Sequence, residues 1–169
     1  MSRSLLDPRV DAALAEHGIN FDVLACEPEF ADTAAFCARY GHSPTQAANT
    51  ILVASKRVTP SVTALCVLLA TTRLDVNHKV RSLLGVRRLS FADAETTLNL
   101  TGMMVGGVTP FGVPDVPIYI DAAVMSASHV VMGGGNRSSK LLLVPDELKR
   151  LPNTSVVVDL ALPIPAPDA

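Results

Sequence analysis

The run Val62-Thr-Ala-Leu-Cys-Val-Leu-Leu-Ala70 constrains the chain more than any other segment. It is too continuously apolar to face water on either side, so it reads as a strand covered on both faces, which only a layered fold provides. A second strand candidate, Ile51 to Ala54, precedes it across a Lys56-Arg57-Val-Thr-Pro60 connection.

Helix signals surround these strands. Asp7-Pro8 supplies a cap and a first-turn proline, and Val10, Ala13, Leu14 and His17 repeat at helical spacing until Gly18, which predicts a helix over 8–17. A second helix is expected from Asp32 to Gly41. A third is expected after Asp75, with Val76, Val80 and Leu83 inward and Gly85 beyond its end. Ser90 and Asp93 have the spacing of a capping box for a helix through Leu100. Phe21 to Leu24 and Arg87 to Leu89 are short strand candidates, and further strands are expected at Val116 to Ile120, His129 to Met132, Lys140 to Val144 and Thr154 to Leu160, with a short helix from Pro145 to Leu151. Six or seven strands without regular βα alternation favour an α+β fold with a mixed sheet over a doubly wound one. One domain is expected over residues 1–160, and Pro163, Pro165 and Pro167 mark 161–169 as a proline-rich tail.

Composition narrows the function classes. Half the chain is apolar (49%) and only 18% is charged, so a sizeable core forms and extended disorder is excluded. A net charge of −2 excludes a strongly basic tail but not a local basic face. Three cysteines, Cys26, Cys37 and Cys66, match neither a CxxC pair nor a metal knuckle, and His17, His42, His78 and His129 do not cluster. No metal or cofactor is therefore expected. The start lacks a signal peptide's apolar core and no run is long enough to span a bilayer, so a soluble, cytoplasmic protein is expected, with neither membrane nor DNA as partner.

Two glycine loops carry the chemistry. Thr101-Gly-Met-Met-Val-Gly-Gly-Val-Thr-Pro-Phe-Gly112 and Gly133-Gly-Gly-Asn136 both flank strands. Neither reads GxGxxG, and Gly133 to Lys140 lacks the order GxxxxGK[ST], so a dinucleotide or nucleoside-triphosphate site is not expected. No Gly-x-Ser-x-Gly elbow supports a serine triad. Consecutive glycines do let backbone amides approach a small ligand, and such amides stabilise the oxygen that becomes negative when an ester carbonyl is attacked.

Gly106-Gly-Val-Thr-Pro-Phe-Gly112, with the Asp115-Val-Pro-Ile-Tyr-Ile-Asp121 segment after it, resembles the signature of the YbaK/ProX family of aminoacyl-tRNA editing domains. Asp32-Thr-Ala-Ala, Ala48-Asn-Thr-Ile-Leu-Val53, Leu74-Asp-Val-Asn-His-Lys, Met132-Gly-Gly-Gly135 and Leu141-Leu-Leu-Val-Pro145 extend the resemblance over about residues 5–151. It implies an antiparallel-rich α+β editing fold and hydrolysis of the ester joining a wrong amino acid to tRNA. The chain looks like a free-standing member, with mischarged tRNA as partner and an aminoacyl-tRNA synthetase as a further candidate.

On that resemblance Gly106, Gly107, Val108 and Thr109 present backbone groups to the ester while water attacks. Thr33, Asn49, Pro110, Gly134, Arg137 and Lys140 are the expected substrate-binding residues. Thr33 is equally a candidate helix cap, and Asn49 a strand-end hydrogen-bonding residue. One departure stands out: the family has Lys before its Thr-Leu strand, where this chain has Asn49. Lys56 has the opposite strand parity to Asn49, which leaves Arg137 and Lys140 as alternative charge sources. Arg73, Lys79, Arg81, Arg87 and Arg88 are candidates for a phosphate-binding face. A noncatalytic aminoacyl-tRNA or synthetase-associated module is the rival reading, because of Asn49.

Overall fold

In the computed structural model, which describes residues 5–165, the Asp7 carboxylate accepts from the Arg9 amide at 2.8 Å and starts α1 (Pro8–Glu16). Val10, Ala13 and Leu14 of α1 are buried against the main core. After β1 (Asp22–Ala25), α2 (Thr33–Tyr40) ends on Gly41, whose φ of 75° lies in the left-handed region that favours glycine at a helix end. The long pair β2 (Ala48–Ser55) and β3 (Thr63–Leu69) follows, then the short β4 (Thr72–Leu74).

The next helix departs from its expected form. It opens with a π turn over Val76–Val80, in which the Val80 amide reaches the Asp75 carbonyl at 3.1 Å, and continues as the short α3 (Arg81–Leu84). The wider turn shifts the helical phase. Val76 and Val80 stay buried, but Leu83 is exposed and Leu84 packs inward in its place. After β5 (Leu89–Phe91), Asp93 is itself the cap of α4 (Ala94–Thr101), accepting from the Thr96 amide at 2.7 Å. Ser90 lies within β5, so the expected capping box does not form.

The remaining elements are β6 (Ile118–Asp121), β7 (Val130–Gly133), β8 (Ser139–Leu143), a 3-10 turn over Pro145–Arg150, β9 (Thr154–Val157) and β10 (Ala161–Pro163). The expected last strand, 154–160, is divided at Asp159, which has a φ of 57°. Residues 161–163 are not tail: they pair antiparallel with β4, and the buried Ala161 amide donates to Asp121 Oδ1 at 3.3 Å. The expected six or seven strands become ten among the described residues. Three of them, β4, β5 and β10, have three residues each, too few for a period-2 pattern to show.

The sheet orders are β5-β2-β3-β6-β9, β1-β8-β7 and β10-β4. β3, the continuous apolar run, is central in the five-stranded sheet, antiparallel to β2 and parallel to β6. Leu65 and Val67 point into the main core, while Ala64, Cys66 and Leu68 point into a second core under the Val76–Leu84 helix. Both faces are covered, as a run without polar alternation requires. The whole is an α+β fold with a mixed, antiparallel-rich central sheet and flanking helices.

Candidate active site at the open edge of β2

β2 is paired along its length with β3 but meets β5 only at Val53–Ser55, so its other edge is open from Ala48 to Ile51. The strand's parity fixes what that edge presents. Ser55 N–H bonds Val62 O, and Ala70 N–H bonds Ala47 O, so odd positions bond β3. Ala92 N–H bonds Leu52 O, and Lys56 N–H bonds Arg88 O, so even positions face the other way. The main-chain groups of Thr50 therefore face open space. Ala47 forms a parallel bridge with Val131 of β7. Between this edge, β7, the start of α2 and the 105–108 loop lies a cleft of about 390 Å³.

The two glycine loops close one wall by packing backbone on backbone. The Gly135 amide donates to the Gly107 carbonyl at 2.8 Å. A Cβ on Gly107 would lie 2.5 Å from Asn136 O, and one on Gly133 would lie 2.5 Å from Val108 O. Side chains at either position would force the loops apart, so glycine is required for the close approach.

Lys140 sits in the middle strand of the three-stranded sheet, opposite Leu24 on one side and Gly133 on the other. It shares a face with Leu142, which packs with Leu24 and Val131 against Phe36 of α2. Its ammonium, in the cleft wall, donates to Ala31 O at 2.5 Å and Gly106 O at 2.6 Å and lies 5.7 Å from the Phe36 ring centroid. The residue is 5% exposed. Burial is the largest influence on this group and pulls its pKa below the ordinary lysine value; nearby Arg137 acts in the same direction, while Cys26, Asp32 and Cys37 oppose it. Two of its three donors are occupied by carbonyls, which leaves one.

Thr33 is the first residue of α2, and its hydroxyl donates to Asn49 Oδ1 instead of capping the helix. The Asn49 side chain is thus anchored across the cleft mouth by its oxygen. Asp32 holds the cap position but turns its carboxylate to Arg137 Nη1 at 3.0 Å. Arg137 also donates to Pro28 O at 2.9 and 3.2 Å and to Val105 O at 2.6 Å. Four of its five donors clamp the segment before α2 to the glycine loop.

The expected catalytic residues therefore separate. Gly106 and Val108 line the cleft, and among the described residues no group accepts from their amides. The Gly107 amide is committed to Met104 O at 2.9 Å. Thr109 is fully buried, its hydroxyl without a partner among the described residues. Pro110 lines a different groove with Arg9 and Val113, and the Gly134 carbonyl accepts from the Asp7 amide at 3.2 Å. Asn49, Thr33 and Lys140 are brought to the cleft; Gly107, Thr109, Pro110 and Gly134 are not part of its lining, and Arg137 braces it.

The sequence reading missed Phe36, Thr50, Thr97, Met132 and Gly133, which are also part of the lining. Burial raises the thiols of Cys26 and Cys37 and pushes Cys66 up to about 12, so none is an activated nucleophile. Among the described residues no group of three His, Cys, Asp or Glu side chains is placed to hold a metal ion, and no helix is long and apolar enough to cross a membrane.

Comparison with known proteins adds three findings. The model of the aminoacyl-tRNA editing domain matches residues 27–151. The uncharacterized protein YwhH of Bacillus subtilis (strain 168) is 31% identical over 124 residues, covering 68% of this chain and 78% of YwhH. Two crystal structures share the fold at 24% identity. Hypothetical protein APE2540 has a TM-score of 0.80 over 91% of this chain and 99% of its own; a proposed trans-editing enzyme for prolyl tRNA synthetase has a TM-score of 0.77 over 94% and 97%.

Proposed function

The chain belongs to the aminoacyl-tRNA editing domain family, and from that premise we propose that it hydrolyses the ester of a mischarged aminoacyl-tRNA in the cleft beside β2. The observation that carries this reading is the buried Lys140 ammonium, set against the glycine loop in a chain whose β2 bears Asn49 where the family has lysine. The charge absent from one wall is present on another.

In this mechanism the Gly106 and Val108 amides, both uncommitted, polarise the ester carbonyl, and Lys140 holds the loop by the Gly106 carbonyl. The open-edge carbonyl of Thr50 accepts from the amino acid's ammonium, while Asn49, fixed by Thr33, orients the terminal ribose with its amide donors. Water attacks the carbonyl carbon and the ribose oxygen leaves, taking a proton; no protein nucleophile is needed. Phe36, Ala48, Leu52, Val108 and Met132 give the side-chain pocket an apolar lining. The cytoplasm is the proposed location, and a synthetase is a second proposed partner.

Asn49 also supports a rival, a noncatalytic module that binds aminoacyl-tRNA without turnover. A deacylation screen over a full panel of aminoacyl-tRNAs, following amino-acid release and tRNA integrity, separates the two. Release from at least one mischarged species at a rate proportional to enzyme supports hydrolysis. Saturable binding without release from any species leaves only the module.

A further inference from the structure

We infer that the surface around Phe91 receives the single-stranded 3′ end of an RNA, one base stacking on the Phe91 ring while Arg87, Arg88 and their neighbours hold the phosphates. This rests on the editing reading and names the part of the surface that guides the substrate to the cleft.

Charge segregation is the first argument. Residues 56–91 hold seven of the chain's fourteen lysines and arginines but one acidic residue, Asp75, in a protein whose net charge is −2. Among the described residues none of those seven cations is in an ion pair, and Asp75 lies 3.2 Å from His78. Every described cation elsewhere is accounted for. Arg9, Arg39, Arg137, Lys149 and Arg150 each pair with a carboxylate, and Lys140 is buried. Positive charges that are neutralised or buried in every described segment but one leave that segment free for an anionic partner.

The fold concentrates these charges. The Lys56 amide bonds Arg88 O at 3.1 Å, and the Arg81 guanidinium bonds Arg87 O at 3.3 Å, so four basic residues meet where β2 and β5 end. Phe91 lies on the same short strand, paired with Val53 and 53% exposed. It is the one exposed Phe or Tyr among the described residues. The next residue, Ala92, lines the cleft, as does Ile51, the diagonal cross-strand neighbour of Phe91 on the same sheet face. An exposed ring between unpaired arginines and an ester-sized cleft fits an unpaired nucleotide. Bases within a duplex cannot stack on it, whereas a single-stranded end can.

The test uses the full chain and a fluorescent RNA hairpin carrying a single-stranded 3′ extension, with the same hairpin blunt-ended as control, by fluorescence anisotropy at low salt. Phe91→Ala should weaken the extended hairpin at least about fivefold, as loss of one base–aromatic stack does, and leave the blunt hairpin unchanged. Phe91→Tyr should bind as the unmodified chain. Arg87→Gln and Arg88→Gln should weaken both hairpins and flatten the salt dependence by about 0.7 in log–log slope per lost contact. Extended-hairpin affinity within twofold for Phe91→Ala overturns the inference. So does displacement of the RNA by poly-glutamate at matched charge, which points to an acidic protein. The outcomes remain separable from the deacylase reading: stacking-dependent binding with no ester turnover sinks only the enzyme, and turnover with a Phe91-indifferent RNA affinity sinks only this surface.

Discussion

The Lys140 ammonium donates to the Gly106 carbonyl at 2.6 Å and so ties the middle strand of one sheet to a glycine loop 34 residues earlier in the chain. With Ala31 O as its second acceptor, the same ammonium joins the segment before α2, the loop and β8 at one point. A buried charge held by two carbonyls is costly to create and damaging to remove, because the carbonyls then lose their donor.

Lys140→Met should therefore lower ester hydrolysis about tenfold or more, since a hydrogen bond to a charged group contributes about 1.5–3 kcal/mol to holding the loop that carries the Gly106 and Val108 amides. Initial deacylation rates, with circular dichroism to verify the fold, check this. A folded Lys140→Met variant with unchanged rate would show that the tether is not used.

Burial of Lys140 also predicts opposite pH dependences for activity and stability. Its folded pKa lies below the ordinary lysine value of 10.5, so between the two the unfolded chain binds more protons than the native one. Stability from this group therefore rises with pH across that window. The tether needs the ammonium, so enzymatic turnover should fall as pH rises through the lowered value, earlier than for a solvated lysine. Rates corrected for uncatalysed ester hydrolysis, beside denaturant unfolding over the same pH range, read both signs. Lys140→Met should remove both limbs together.

How much of this was legible depended on whether the signal was local. Asp7-Pro8, Gly41 and Gly85 act within one helical turn, and each sits where its sequence placed it. The π turn at Val76–Val80 was not legible, because a five-residue backbone ring leaves the same residue types as an ordinary turn. β10 was hidden by its one proline: at a sheet edge Pro163 is tolerated, but in sequence, with the prolines after it, it reads as a tail. Within the cleft, Asn49 and Gly106 came from the family-like motif. The choice between Arg137 and Lys140 required the pairing of β8 with β1 and β7, which no local pattern encodes.

Gly133→Ala tests the backbone-on-backbone wall. Its Cβ would lie 2.5 Å from Val108 O and 2.8 Å from Gly107 O, both main-chain atoms with no rotamer to yield. Overpacking of this kind costs about 1–3 kcal/mol, and here it displaces the loop that carries the uncommitted amides. The expected result is a lower unfolding midpoint in urea together with lost deacylation. Full activity with native stability would mean that the two loops move apart freely.

The sharpest prediction concerns where the cleft keeps its positive charge. By the family pattern alone, Asn49→Lys should restore a missing lysine and raise turnover. The structure argues for the reverse, because Lys140 already places an ammonium in the lining of the cleft that Asn49 shares, and a second one in a poorly solvated space repels it. The substitution also replaces the acceptor of the Thr33 hydroxyl with a group that can only donate. Asn49→Lys should therefore lower hydrolysis, whereas Asn49→Ala, which removes a polar anchor without adding charge, should retain part of it. If the charge has moved from β2 to β8, Asn49→Lys combined with Lys140→Met should turn over faster than either single variant, a coupling that independent sites would not show. Initial rates for the four proteins, each verified as folded, decide the matter. An Asn49→Lys variant faster than the unmodified chain, or a double variant no better than the worse single one, would falsify the relocation.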